Sequence, residues 1–149
     1  MRGARRAVAS DLAALLDLFR RSEVSAVAEA PGRIWAEMPA REGVSVFVSE
    51  AGGDLGATCL LVTVPNLLRA GRAHGFLENV VTDPAHRGQG HGQGHGRAVV
   101  GAALAQAWAE GCHHVLLQTG RTDPRVHRFY AGCGFRPGVR TGYVATRPG

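Results

Sequence analysis

Apolar residues at regular spacing indicate the first elements of the chain. The segment from Arg5 to Ala9 has the pattern of a short strand. Apolar side chains then recur at helical spacing and predict one buried helix face: Leu12, Leu15, Leu16 and Phe19. A second helical piece is expected between Ser25 and Ala40, broken at Pro31-Gly32, with Trp35 and Met38 as its apolar anchors.

Alternation of apolar and polar positions predicts a hairpin in the next part of the chain. Val44, Val46 and Val48 alternate as in a half-buried strand, and the turn residues Ala51 to Asp54 lead into a second strand from about Leu55 to Val64. The following segment, Phe76 to Thr82, is apolar on both faces apart from Glu78 and Asn79. This pattern predicts a strand buried within a sheet.

A strand, a glycine-rich segment, a helix and another strand follow one another in the second half. Glycines alternate from Gly88 to Gly96 and precede a helical pattern: Val99, Val100, Ala103, Leu104, Ala107 and Trp108. The helix is expected to end at Gly111, and His114 to Thr119 to form a strand parallel to the one before the glycines. Asp123-Pro124 is expected to cap a short helix. Its inward side chains would be Val126, Phe129, Tyr130 and Cys133, and Phe135 to about Thr146 would close the sheet.

Two motifs in this order resemble those of a known family. The first is Val80-Val81-Thr82-Asp83-Pro84 followed by Arg87-Gly88-Gln89-Gly90-His91-Gly92, an Arg-x-x-Gly-x-Gly segment. The second is the Tyr-x-x-x-Gly-Phe string that starts at Tyr130. Together they resemble the GNAT superfamily of acetyl-CoA-dependent N-acetyltransferases. The resemblance covers nearly the whole chain and is far more specific than a glycine-rich loop alone.

The resemblance implies a fold class and a reaction. The expected fold is a single-domain α/β fold over residues 1–149, with a mixed, mostly antiparallel sheet, a central splayed parallel strand pair and helices on both faces. The implied reaction transfers the acetyl group of acetyl-CoA directly to a primary amine in a ternary complex. Two other classes stay open: a catalytically silent acetyl-CoA sensor and an arginine-rich nucleic-acid binder.

The family also implies which residues hold acetyl-CoA. Those in the strand are Asn79, Val80, Val81 and Thr82, where a bulge would free backbone groups for the pantetheine arm. Those in the loop are Arg87, Gly88, Gln89, Gly90, His91 and Gly92, whose guanidinium and N–H groups suit a pyrophosphate. Asp123, where many members have asparagine, and Tyr130 complete the set.

Catalytic and acceptor-binding residues follow from the same comparison and from the chemistry of acyl transfer. Tyr130 is the expected general acid for the departing thiolate, and an N–H group at Val80 or Val81 would face the thioester carbonyl. Glu78 is a candidate general base, with an ion pair to an arginine such as Arg121 as the alternative. Trp35, Arg121 and Glu78 are the expected acceptor-binding residues.

Composition narrows the partners further. The formal charge of +5 is the balance of 17 cationic residues against 12 acidic ones. All the cationic residues are arginine, and they are scattered rather than clustered. This does not favour a nucleic-acid surface. The resemblance implies a small-molecule amine as the partner and, by family habit, a homodimer. Three cysteines without C-x-x-C spacing predict a reducing, cytoplasmic location. The sequence contains no run of about 18 apolar residues, so no membrane span is expected.

Some candidate groups do not suit the chemistry that their residue type suggests. His91 and His95 are four residues apart but lack a third ligand, so no metal site is expected. Cys133 has no neighbouring group in sequence to activate it as a nucleophile, and it is expected to be core.

A direct repeat leaves the register of the glycine loop open. Gly88-Gln89-Gly90-His91 is followed by Gly92-Gln93-Gly94-His95. The phosphate loop is either Arg87 to Gly92, with the second unit forming an additional helical turn, or Gly92 to Gly96, with the first unit as a bulge. We favour the first register, because the length of the cofactor fixes the distance from the strand to its phosphates.

Overall fold

The computed structural model of this chain describes residues 3–87 and 94–149. Within them, the strands are β1 (Arg5–Arg6), β2 (Val44–Ala51), β3 (Asp54–Val64), β4 (His74–Thr82) and β5 (His114–Leu117). The α-helices are α1 (Leu12–Ser22), α2 (Pro31–Ala40), α3 (His95–Ala109) and α4 (Pro124–Gly132). The chain divides into two compact units, residues 1–117 and residues 118–149, and each is described by itself. The prediction of one domain over residues 1–149 stays a prediction.

The five described strands form one mixed sheet in the order β1-β2-β3-β4-β5. The first three pairings are antiparallel, and β4 and β5 run parallel. The βαβ unit β4-α3-β5 was predicted from the sequence and is present. The predicted fold class, an α/β fold with a mixed, mostly antiparallel sheet and one parallel pair, is confirmed.

Neighbouring residues of β2 show that helices cover both faces of the sheet. Val48 packs with Leu15 and Leu18 of α1 in a buried cluster that also contains Leu55 and Val81. The next residue, Ser49, contacts the first residue of α3. Because successive side chains of a strand point to opposite faces, α1 and α3 lie on opposite sides of β2.

The β2-β3 hairpin was also predicted correctly. Gly52 and Gly53 both have positive φ, at 60° and 95°, which glycine adopts without steric cost. The hairpin register shifts once, between Ser49 and Glu50.

Three predictions about the secondary structure were wrong. The second helix is not broken at Pro31 but begins there, because a proline at the first helical position lacks only an N–H that would have no partner in the helix. The first strand is shorter than Arg5–Ala9. No strand occurs from Phe135 to Thr146, so β5 is the last strand of the described sheet and the parallel pair lies at its end.

Helix α3 is closely packed on one face. Val99, Val100, Ala103 and Ala107 are fully buried, as predicted, whereas Trp108 is 52% exposed. Trp108 follows the buried Ala107 by about 100° around the helix and so leaves the buried face.

Replacing Gly101 by alanine is expected to stabilise the protein. Gly101 lies exposed in the middle of α3, and a Cβ built there meets nothing within 4 Å. Alanine is favoured over glycine in a helix interior by about 1 kcal/mol, which corresponds to a rise in the melting temperature of roughly 3 °C for a chain of this size. Thermal unfolding followed by circular dichroism measures it, and an unchanged or lower melting temperature contradicts the prediction.

Within residues 3–87 and 94–149, no helix combines the length and the apolar composition that crossing a membrane requires.

Candidate active site

Strand β4 contains the bulge that the sequence comparison implied. Along the β3-β4 ladder, Thr58 pairs with Val81 but Leu60 pairs with Glu78. Two residues of β4, Asn79 and Val80, therefore oppose the single residue Cys59 of β3. Asn79 has a φ of 50°, in the left-handed region that a β-bulge often requires of one residue.

The parallel neighbour of β4 ends before this bulge. The β4-β5 ladder runs from His74 and His114 to Leu77 and Leu117. Beyond Leu77, β4 continues for five residues, Glu78 to Thr82, and in the described part of the chain it pairs there with β3 alone. This edge of β4 can therefore accept an extended ligand at the backbone, as an additional strand would bind.

Glu78 does not have the buried environment that the sequence pattern suggested. The residue is exposed, at the point where the β4-β5 ladder has just ended. An exposed carboxylate needs no compensating partner, so burial gives no reason to assign Glu78 a function. Its assignment as general base stays a prediction.

The chain turns sharply after β4. The Asp83 amide donates to the Gly56 carbonyl at 2.8 Å, and the Asp83 carboxylate accepts from the Ala85 amide at 2.9 Å. Arg21 of α1 donates its Nε to the same carboxylate at 2.9 Å. The Arg87 side chain folds back, with Nε donating to the Thr82 carbonyl at 3.0 Å. These contacts fix where the chain enters the glycine-rich segment.

Asp83 contributes to the free energy of unfolding by an amount that depends on pH. The Ala85 amide and the Arg21 guanidinium hold the pKa of the Asp83 carboxyl below its ordinary value. A lowered pKa stabilises the folded state above the unfolded pKa of about 4, and this stabilisation is lost as the pH falls through the folded value.

Asp83→Asn is therefore expected to lower the free energy of unfolding most above about pH 5, because only there does the ionised carboxylate stabilise the wild type fully. The difference between the two proteins should shrink toward about pH 2. Urea unfolding at several pH values measures it. A difference that stays constant over this range contradicts the role assigned to Asp83.

The predicted phosphate loop lies largely outside the described residues. The loop residues outside the described ranges are Gly88, Gln89, Gly90, His91 and Gly92. After it, α3 begins at His95, and Gly94 is its N-cap with an extended backbone, φ −76° and ψ 168°. The expectation of an additional helical turn over the second repeat unit is therefore wrong at Gly94, while the register of the loop itself stays open.

Substitutions on either side of Gly92 test that register. With Arg87 to Gly92 as the phosphate loop, Arg87→Ala and Gly90→Val are expected to weaken acetyl-CoA binding by about tenfold or more, because they remove a cation or obstruct N–H donors. Gly94→Ala should leave the affinity unchanged, since its backbone conformation is open to alanine. Titration calorimetry with CoA measures all three. Loss of binding in Gly94→Ala with retention in Gly90→Val would place the loop four residues later.

Within the second unit, Tyr130 lies on α4. Its ring is half-buried and packs edge-to-face on Phe129 and Phe135, at centroid distances of 5.1 and 6.1 Å. The Phe135 amide donates to the Tyr130 carbonyl at 3.1 Å, which closes the turn of the Tyr-x-x-x-Gly-Phe string. The helix predicted from Asp123-Pro124 is confirmed.

Asp123 acts as the N-cap of α4. Its carboxylate accepts from the Arg125 amide at 2.9 Å and pairs with the Arg125 guanidinium at 2.9 Å. Arg125 holds the pKa of this exposed carboxyl below its ordinary value. These contacts give Asp123 a structural role, and the cofactor contact predicted for it stays untested.

The predicted acceptor-binding residues differ in their surroundings. The Trp35 indole donates to the Ala9 carbonyl at 3.1 Å, and its ring packs against the cluster around Leu15 and Leu18. Trp35 therefore stabilises the core edge. Arg121 is exposed in the second unit, where its amide donates to Thr119 Oγ1 at 3.2 Å.

Two side chains near the ends of the glycine-rich segment escaped the sequence analysis. Arg21 belongs to none of the sequence motifs, although it holds Asp83, 62 residues later. His95 was considered only as a weak metal ligand, although it is fully buried. No group of three side chains able to hold a metal ion occurs among the residues that the structure describes.

Strand β4 has a bulge, and its parallel neighbour β5 ends before that bulge. This arrangement is that of an acyltransferase that binds an extended cofactor along the free strand edge. The sequence model of the Acetyltransferase (GNAT) family matches residues 12–135. The chain therefore belongs to the GNAT acetyltransferase family, a family of enzymes that transfer an acetyl group.

Individual relatives agree with this assignment. The chain is 31% identical over 103 residues to glucosamine 6-phosphate N-acetyltransferase of Trypanosoma brucei brucei, which covers 68% of this chain and 65% of that protein. The match thus spans just under two thirds of the relative. An acetyltransferase structure from Agrobacterium tumefaciens is 39% identical with a TM-score of 0.85, covering 97% of this chain and 99% of that chain. The glucosamine-6-phosphate N-acetyltransferase of Arabidopsis thaliana is 22% identical with a TM-score of 0.80, covering 99% and 98%, and shows the fold alone.

Proposed function

We propose that this protein transfers the acetyl group of acetyl-CoA to the primary amine of a small molecule, by direct attack in a ternary complex. The observation that carries the proposal is the edge of β4 from Asn79 to Thr82, which has a bulge and lies beyond the end of β5. Acetyl-CoA supplies an activated acyl group as a thioester. Everything else in the reaction is assigned to side chains and backbone groups of this chain.

The backbone of β4 is assigned the binding of the pantetheine arm and the stabilisation of charge. Extended amide groups of the arm match a strand edge such as Asn79 to Thr82. The N–H of Val80 or Val81 would donate to the carbonyl oxygen as negative charge develops there. One such donor is typically worth about 3 kcal/mol in acyl transfer.

Two side chains are assigned the proton transfers. Glu78 takes a proton from the acceptor ammonium, directly or through water, so that the neutral amine attacks. Tyr130 donates its phenolic proton toward the sulfur as the C–S bond breaks. A tyrosine pKa of about 10 against a thiol pKa of about 8.5 makes full transfer uphill by about 2 kcal/mol, which is small enough for a positioned hydrogen bond to help.

The proposed acceptor is an amine that also carries an anionic group, of the class of amino-sugar phosphates. The relative from Trypanosoma brucei brucei is named for the acetylation of glucosamine 6-phosphate, and its identity to this chain exceeds 30%. Glu78 offers a carboxylate to the amine of such a molecule, and Arg121 offers a guanidinium to its phosphate. Guanidinium groups bind phosphate through two parallel N–H donors.

Release of free thiol from acetyl-CoA across a panel of amines tests both parts of this proposal. The expected result is rapid release with glucosamine 6-phosphate and slow release with glucosamine, which lacks only the phosphate. Equal rates with both contradict the anionic acceptor. Binding of CoA without thiol release for any amine would instead indicate an acetyl-CoA sensor.

A cytoplasmic location and a homodimer remain predictions. Cys59 and Cys112 are both buried. Light scattering on the purified protein measures the oligomeric state.

A further inference from the structure

A fully buried histidine stands at the start of α3. His95 is the first residue of that helix, and its relative accessibility is 0%. Its Nδ1 lies 2.7 Å from Ser49 Oγ on β2, which is itself buried. An imidazole is an unusual choice for this place, because an apolar side chain would fill the volume without a polar group to satisfy.

The protons of this contact can be assigned. Ser49 Oγ donates to the Gly3 carbonyl at 2.8 Å. A hydroxyl has one proton to donate, so Ser49 accepts from His95, and His95 carries its proton on Nδ1. The hydrogen bonds therefore run in one direction, from α3 through β2 to the chain before β1.

A glycine on β3 makes the space that the His95 ring occupies. A Cβ built on Gly56 would lie 2.5 Å from Cγ and 2.8 Å from Nδ1 of the ring. Gly56 does not have a positive φ, so its backbone conformation does not require glycine. The close approach of the His95 ring does. The carbonyl of Gly56 accepts from the Asp83 amide at the end of β4.

The same ring also contacts the turn that precedes the glycine-rich segment. His86 packs edge-on against His95, with ring centroids 5.0 Å apart and an interplanar angle of 69°. His95 thus contacts His86, which lies just before the segment. It also packs against Gly56 of β3, whose carbonyl accepts from the Asp83 amide. His95 also follows Gly94 directly and is the residue at which α3 begins.

From these contacts we infer that His95 is a positioning residue, which fixes the first turn of α3 against β2 and β3 so that its N–H groups point at the pyrophosphate of the cofactor. This inference rests on the proposed function for its ligand. N–H donors at a helix N-terminus bind phosphate only where the direction of the helix is held, since hydrogen bonds weaken steeply when misaligned. Because His95 is fully buried, it acts through α3 and not directly on the acetyl group or the acceptor.

Three substitutions separate the hydrogen bond from the packing. Ser49→Ala removes the acceptor and only one heavy atom. His95→Leu fills much of the volume but cannot donate, whereas His95→Asn retains an N–H near the position of Nδ1. Ser49→Ala and His95→Leu are expected to raise the Kd for CoA about tenfold, and His95→Asn is expected to stay within about threefold of wild type. The kcat at saturating acetyl-CoA should change by less than about twofold in all three, because the reacting groups are untouched.

Hydrogen exchange of backbone amides provides a readout that does not depend on the ligand. The Ala98 amide donates to the Gly94 carbonyl at 3.1 Å in the first turn of α3, and the Glu110 amide donates to Gln106 at its other end. Ser49→Ala should speed exchange at Ala98 and leave Glu110 unchanged. If His95→Leu does not fold, Ser49→Ala decides the question.

Gly75→Ala is the matched control. A Cβ on Gly75 would lie 2.9 Å from Val115 Cγ2 and near His114 and Cys112, so this change strains the β4-β5 pair and meets no residue of the first turn of α3. It should lower the melting temperature without raising the Kd for CoA, whereas Gly56→Ala should do both. Wild-type exchange at Ala98 together with wild-type CoA affinity in Ser49→Ala and His95→Leu would overturn the inference. Failure of the wild-type protein to bind CoA would contradict the proposed function instead, and exchange at Ala98 would still test the positioning.

Discussion

Replacing Tyr130 by phenylalanine is expected to lower kcat by about 100-fold while leaving the affinity for acetyl-CoA nearly unchanged. The hydroxyl acts on the leaving thiolate, so its removal affects the transition state more than the bound ground state. The ring contacts with Phe129 and Phe135 remain, because phenylalanine preserves them. Steady-state kinetics and calorimetry with CoA measure the two quantities.

The other tyrosine of the chain provides the control for this experiment. Tyr143 lies in the same unit and is 89% exposed, so Tyr143→Phe should have wild-type kinetics. A pre-steady-state measurement must first show that chemistry limits turnover in the wild type. If it does, an unchanged kcat in Tyr130→Phe removes the tyrosine from the mechanism.

Replacing Glu78 by glutamine is expected to lower the rate at pH 7 by about 100-fold and to make it more strongly dependent on high pH. Without the carboxylate, only amine that is already neutral can attack, so the deficit should shrink as the pH approaches the pKa of the acceptor. Profiles of kcat/KM for the acceptor against pH, in the wild type and the variant, measure this change.

A second exposed carboxylate separates this role from a general effect of charge. Glu42 lies on the surface just before β2, and Glu42→Gln should have the pH profile of the wild type. An identical profile in Glu78→Gln would show that Glu78 is not the base. It would then remain as an exposed residue next to the bulge.

Elements with strong local patterns were predicted correctly. The α1 helix, the β2-β3 hairpin and the β4-α3-β5 unit all follow from apolar spacing and from turn residues such as Gly52, Gly53 and Gly111. These signals depend on residues two to four positions apart, which lie near one another in any conformation of the segment.

Predictions that needed knowledge of neighbouring elements were less reliable. Trp108 continues the apolar pattern of α3 but is half-exposed, and Glu78 interrupts a buried strand but is itself exposed. In both cases the secondary structure was predicted correctly, whereas the burial of the residue was not. Burial depends on what packs against a residue, and that partner is distant in sequence.

The sequence by itself indicated the family and the βαβ unit, because these signals lie in local patterns of residues. The resemblance to the family implied the bulge, which the structure contains, and the candidate proton donor, which stays a prediction. Only the tertiary structure revealed how the loop entry and the start of α3 are held. Arg21 and Asp83 are 62 residues apart, and Ser49 and His95 are 46 apart. Gly56 resembles any strand glycine until the His95 ring is seen against it. Such contacts form when distant strands and helices pack, so no local pattern in the sequence records them.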